Sequence, residues 1–151
     1  ASAPYRRVET MKALSEAGIP VGLMFAPVIP FVNDSEIERI LQTCAAVGAE
    51  TAGYVMLRLP HEVKELFREW LAIHLPLRKD HVMNMINDMR KGKDYDAKYG
   101  TRMRGTGVFA NVIQKRFEHC SKSNKLNNKR RQLDCNIFQA SLLPDTQQSL
   151  F

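Results

Sequence analysis

Residues 18–59, GIPVGLMFAPVIPFVNDSEIERILQTCAAVGAETAGYVMLRL, read as strand, loop, amphipathic helix and strand, which is one βαβ crossover. Parallel strands cannot be joined by a tight turn, and they need helices or neighbouring units to cover both faces of their sheet. Ile19 to Ala26 is a nearly continuous apolar run, which predicts a strand buried on both faces. Pro27 and Pro30 stop it, because proline cannot donate to a sheet ladder. Asn33 and Glu36 have the spacing of a capping box, and the helix they open runs to about Val47 with Ile37, Ile40, Leu41, Cys44 and Val47 on one face. Gly48 ends it. Thr51 to Leu59 is the second strand, placed parallel to the first by a right-handed crossover.

Two convincing strands are few for an α/β sheet, so further strands are expected upstream of Ala1. The chain opens without an initiator Met and enters a helix almost at once, with Val8, Met11, Leu14 and Ala17 at apolar positions and Gly18 as a left-handed C-cap. A complete (β/α)₈ barrel typically takes roughly 250 residues, so 151 residues hold at most an arc of one. Neither a signal peptide nor a transmembrane stretch is present, and the chain is expected to be cytoplasmic. Cys44, Cys120 and Cys135 are too widely spaced for a disulfide framework or a zinc site, and Cys44 is expected to be a buried reduced thiol.

Charge divides the chain. Residues 1–76 hold 7 Lys or Arg against 9 Asp or Glu, a net −2, and residues 77–151 hold 15 against 7, a net +8. Between Arg90 and Arg131 there are 13 basic and 3 acidic residues, including Arg102, Arg104, Lys115, Arg116 and the run Lys129, Arg130 and Arg131. Such a concentration suits a nucleic acid or another polyanion; it also suits a solvated basic surface.

Beyond Pro60 the pattern is helical. Val63, Leu66, Phe67, Trp70 and Leu71 recur at helical spacing up to Pro76, and Asp80 can cap a helix bearing Val82, Met85, Ile86 and Met89. Thr106 can cap a third, striped by Val108, Phe109, Val112, Ile113, Phe117 and Cys120. The Trp and Met side chains on these faces are expected in the core. Between the second and third helices lies YGTRMRGTGVFA, residues 99–110. Its glycines, its arginines and the following helix start could converge on an anion. Alternatively it is a tight loop whose arginines pair with Asp94 or Asp96. The phosphate-loop and dinucleotide spacings are both absent.

The segments ASAPYRRVETMKALSEAGIPVGLMFAPVIPFVND, AGYVMLRLPHEVKELFREWL and DYDAKYGTRMRGTGVFA resemble the C-terminal half of bacterial radical SAM proteins related to spore photoproduct lyase, over roughly residues 1–120. The resemblance implies an α/β fold, with residues 1–60 as the C-terminal edge of a partial (β/α)₆ radical SAM barrel contributing two parallel strands. Residues 121–151 lie beyond the resemblance and are read as a flexible basic tail, because from about Ser121 to Gln132 the Ser-, Asn-, Lys- and Arg-rich composition suits a flexible linker or a frayed helix end. By the resemblance, residues 61–120 would be a mainly helical extension. It further implies a parent enzyme using S-adenosylmethionine and a [4Fe–4S] cluster, with DNA repair among the functions of the group. The family's CxxxCxxC cluster loop is absent from this sequence, so the chain alone is expected to bind no cofactor and to be inactive. Barrel chemistry sits at the C-terminal ends of strands, which makes Phe25, Ala26, Pro27, Leu57 and Arg58 candidates for lining the cofactor or substrate site.

The last five residues, QQSLF, resemble the sliding-clamp binding pentapeptide of bacteria, with Gln147, Ser149, Leu150 and Phe151 as the contacts and Gln148 departing from the usual Leu. Three functions therefore stand: part of a radical SAM enzyme acting on nucleic acid, a noncatalytic nucleic-acid or clamp module, and a structural remnant. Unpaired apolar strands also predict self-association of the isolated chain into a homo-oligomer.

Overall fold

The computed structural model describes residues 3–128 together with positions 132 and 136. Helix α1 (Pro4–Glu16) begins on Pro4, whose fixed φ suits a first helical turn. It ends as the sequence predicts: Gly18 takes φ 76°, the Gly18 N–H donates to the Ser15 carbonyl at 3.0 Å and the Ile19 N–H to that of Leu14 at 2.9 Å. None of its residues is fully buried.

Strand β1 (Gly22–Val28), helix α2 (Ile37–Ala46) and strand β2 (Thr51–Met56) form the predicted crossover. The fold is α/β, with two parallel strands in one sheet. Gly22 lies opposite Thr51 and Phe25 opposite Tyr54, with a register shift before Val28 and Met56. The Ala26–Pro27 peptide is cis. Three helices follow: α3 (Val63–His74), α4 (Lys79–Met89) and α5 (Gly107–Ser123).

The core collects Val28, Ile37, Leu41, Tyr54, Met56, Leu71, Val82, Ile86, Ile113 and Phe117 in one cluster. It lies on one side of the sheet only. Leu23, Phe25, Tyr54 and Met56 alternate onto the covered face, where the Phe117 ring of α5 packs 4.7 Å from that of Tyr54. Gly22, Met24 and Ala26 alternate onto the opposite face and are exposed, Met24 by 63%. The expectation that β1 is buried on both faces is thereby corrected. Its apolar run is continuous, but the helices among the described residues reach only one of its two sides.

Other local readings are corrected as well. Asn33 does not cap α2; its Oδ1 accepts from the Ile29 N–H at 2.7 Å and its Nδ2 donates to the Pro27 carbonyl at 3.0 Å, closing the loop after β1 on itself. Asp80 lies in the first turn of α4 and makes no side-chain cap. In α3 only Leu71 is fully buried, and Trp70 lies 40% exposed between Phe67 and His74. Residues 121–127, expected to begin a flexible tail, belong to the packed body. Leu126 is buried, and the Asn127 amide pairs with the outer edge of β2, accepting from the Ala52 N–H at 2.9 Å and donating to its carbonyl at 3.0 Å. One side chain thus does for this edge what a short neighbouring strand would do. Among the described residues no helix is long and apolar enough to cross a membrane.

Candidate nucleic-acid interface

Residues 95–104 run past the C-terminal end of β2 and are fastened to it at several points. The Met56 N–H donates to the Met103 carbonyl at 2.9 Å. Arg90, only 2% exposed, reaches from the end of α4 to donate to the carbonyls of Leu57 (2.9 Å) and Thr101 (3.0 Å). Within the loop, Asp96 accepts from the Lys98 N–H and the Thr101 hydroxyl, both at 2.9 Å. Those two hydrogen bonds hold its pKa below the ordinary carboxylate value. Gly105 closes the turn with φ 76°, and a Cβ there would sit 3.3 Å from that of Met89, so glycine is needed for conformation and for space.

Among the described residues the loop's arginines do not pair with Asp94 or Asp96, which was one of the two arrangements open to them in the sequence. Asp94 is taken by Arg68 and Lys64, at 3.0 and 3.7 Å, and Asp96 by the Lys98 N–H and the Thr101 hydroxyl. Arg102 and Arg104 are left with no carboxylate partner among the described residues and lie over tyrosine rings instead. The Arg102 guanidinium is 5.6 Å from the Tyr99 centroid, and that of Arg104 is 4.0 Å from the Tyr54 centroid. Arg58 repeats the pairing: its Nη2 donates to the Tyr95 hydroxyl at 3.0 Å, its Nη1 points to the Met103 sulfur at 3.7 Å, and it has no ion pair among the described residues. Burial pushes the Arg90 pKa down; the charge of Asp96 opposes this and that of Arg58 adds to it, so the two guanidiniums feel one another. The Nε atoms of Arg58 and Arg90 are buried without a hydrogen-bond partner. Cationic groups held near each other, with the local acids already engaged, form a surface suited to oxyanions.

Other predicted residues fall as follows. Leu57 is buried and Phe25 half-buried against the core, whereas Ala26 and Pro27 are exposed at the end of β1. Thr106 stands at the start of α5, but its hydroxyl donates to the Met89 carbonyl at 3.2 Å and caps nothing. Lys115 is exposed on α5. Arg116 is turned to structure, with Nε and Nη2 each 2.8 Å from a Glu38 carboxylate oxygen and Nη1 3.7 Å from Asp34, so it joins α5 to α2. Lys129, Arg130 and Arg131, the clamp-like Gln147, Ser149, Leu150 and Phe151, and Cys135 lie outside the described residues.

Sequence reasoning missed Tyr54, Tyr95, Tyr99 and Arg90. For Tyr95 and Tyr99 the repeated Tyr and Arg within DYDAKYGTRMR was the available signal; Tyr54 and Arg90 lie outside that segment. Cys44 and Cys120 are buried on α2 and α5, and burial pushes both thiols up. Among the described residues no group of three His, Cys, Asp or Glu is placed to hold a metal ion. Comparison with protein-family models, with curated proteins and with solved structures gives no match.

Proposed function

We propose that this chain is the nucleic-acid-contacting part of a larger radical SAM-like enzyme, whose cluster ligands and remaining strands lie outside these residues. The observation that carries the nucleic-acid reading is the set of three arginines, Arg58, Arg102 and Arg104, each paired with a tyrosine in place of a carboxylate. Guanidiniums over aromatic rings present charge to phosphates, and the exposed ring of Tyr99 adds a face for a base, whereas Tyr54 is buried in the core and only seats Arg104. The position of the loop supports the assignment, because ligands of parallel sheets bind beyond the C-terminal ends of the strands.

The radical SAM reading rests on the segments that resemble that family and on the bare face of the sheet. Parallel sheets are ordinarily covered on both sides, yet Gly22, Met24 and Ala26 are exposed. A groove of about 590 Å³, lined in part by Val8, Met11, Leu23 and Ile40, runs between α1, β1 and α2. Further strands beside β1 would fill that groove and turn the bare face toward an interior. Phe25, Ala26, Pro27, Leu57 and Arg58 would then stand near S-adenosylmethionine or the substrate. Under this reading the cluster ligands come from outside these residues, whose part is binding and enclosure.

Fluorescence anisotropy of a labelled oligodeoxynucleotide, titrated with the chain over a range of salt concentrations, tests the binding. Affinity should fall linearly on a log–log plot, with a slope of roughly −0.7 to −0.9 for each phosphate neutralised. Binding that is absent or indifferent to salt would refute it.

A further inference from the structure

We infer that the loop at residues 95–104 selects unpaired nucleotides over duplex, with Tyr99 as the platform for one base; this rests on the nucleic-acid reading above. Tyr99 is 87% exposed, and the partner that it has is the Arg102 guanidinium. A large aromatic ring left this bare on a monomer surface has a face to offer.

The loop is also built to hold that ring out. Its Arg102 N–H donates to the Lys98 carbonyl at 3.0 Å, closing a turn that contains Tyr99, and its Gly105 N–H donates to the Thr101 carbonyl at 2.7 Å, closing the next. These turns are tied to the body by Arg90 through Thr101, by Met56 through Met103 and by Arg58 through Tyr95. Stacking on a platform that is already ordered costs little further loop entropy on binding.

The selectivity follows from the geometry of bases. In a duplex each base face is covered by its neighbours, so an isolated aromatic ring gains nothing unless a base leaves the stack. Reading paired bases takes a helix or a two-stranded ribbon laid in the major groove. This loop is neither. In a single strand every base has a free face, so the platform accepts any sequence, while Arg58, Arg102 and Arg104 take the backbone.

The test compares a fluorescein-labelled oligodeoxythymidylate of roughly a dozen nucleotides, within the usual footprint of a stacking site, with the same strand annealed to its complement. The full chain is titrated at one fixed ionic strength. Single strand should bind about tenfold or more tightly than duplex. Tyr99→Ala should weaken single-strand binding by roughly five- to a hundredfold, as loss of one base stack does, and should erase the preference. Tyr99→Phe, which keeps the ring, should retain it. Because the Tyr99 side chain is exposed, none of these changes touches the core. Equal binding of the two probes, or a preference that survives Tyr99→Ala, overturns the selection and leaves the nucleic-acid reading standing. Binding to neither probe overturns both.

Discussion

Arg90 is the residue on which the shape of the candidate interface depends. Its guanidinium joins the Leu57 and Thr101 carbonyls, and therefore the end of β2 and the loop, from a site that is 2% exposed. A buried cation with no ion pair among the described residues is held by hydrogen bonds to carbonyl dipoles, and removing it leaves both carbonyls unpaired around a cavity. Arg90→Ala should cost about 2–5 kcal/mol, since each buried carbonyl left without a donor costs about 1–3 kcal/mol. Arg90→Met, which refills the space, should recover part of it; urea denaturation measures both, and a loss below about 1 kcal/mol for the alanine would show the bridge to be incidental. None of this was legible beforehand, since Arg90 stands in the sequence as one more basic residue at a helix end. Arg58 was legible, because an arginine directly after an apolar strand must find a partner, but that the partner is Tyr95 depends on a turn whose path the sequence does not state.

At the scale of elements, α2 and α5 are joined by Glu38 and Arg116. The hydrogen bonds from Arg116, ahead of the opposing effect of burial, hold the Glu38 carboxyl below its ordinary value, and Glu38 in turn raises Arg116. Because the folded carboxyl binds its proton less tightly than the unfolded one, the pair contributes in full above the ordinary carboxylate range. The contribution is lost as pH falls through the lowered value of Glu38. Both partners are partly exposed, so solvent limits the gain to about 1 kcal/mol or less. Glu38→Gln should therefore lower the melting temperature at neutral pH, and the difference from the unaltered chain should close in acid. A difference independent of pH would assign the effect to packing.

The elements themselves were mostly visible in the sequence. Gly18 and Gly48 mark the ends of α1 and α2, and the apolar spacing locates α4 and α5, because these signals are local. The capping roles of Asn33 and Thr106 were misread for a physical reason. A short polar side chain bonds whichever backbone group the tertiary fold brings near, and here these are the Ile29 N–H and the Met89 carbonyl. The docking of Asn127 on β2 joins residues 75 positions apart, a pairing that no local pattern encodes.

For the whole molecule, the small sheet has one covered and one bare face. The covered face, with α2 and α5 upon it, is a packed core; Gly22, Met24 and Ala26 are exposed on the other; and the loop beyond β2 presents arginines seated on tyrosines. The central claim is that this loop, and not the basic balance of the chain at large, binds nucleic acid. The most direct test is the salt dependence of oligodeoxynucleotide binding for Arg102→Gln/Arg104→Gln, set beside Lys12→Gln/Arg39→Gln, which removes the same charge from α1 and α2. The account predicts that the loop variant flattens the log–log slope by roughly one and a half to two, while the control leaves it unchanged. Equal flattening by the two variants would contradict it.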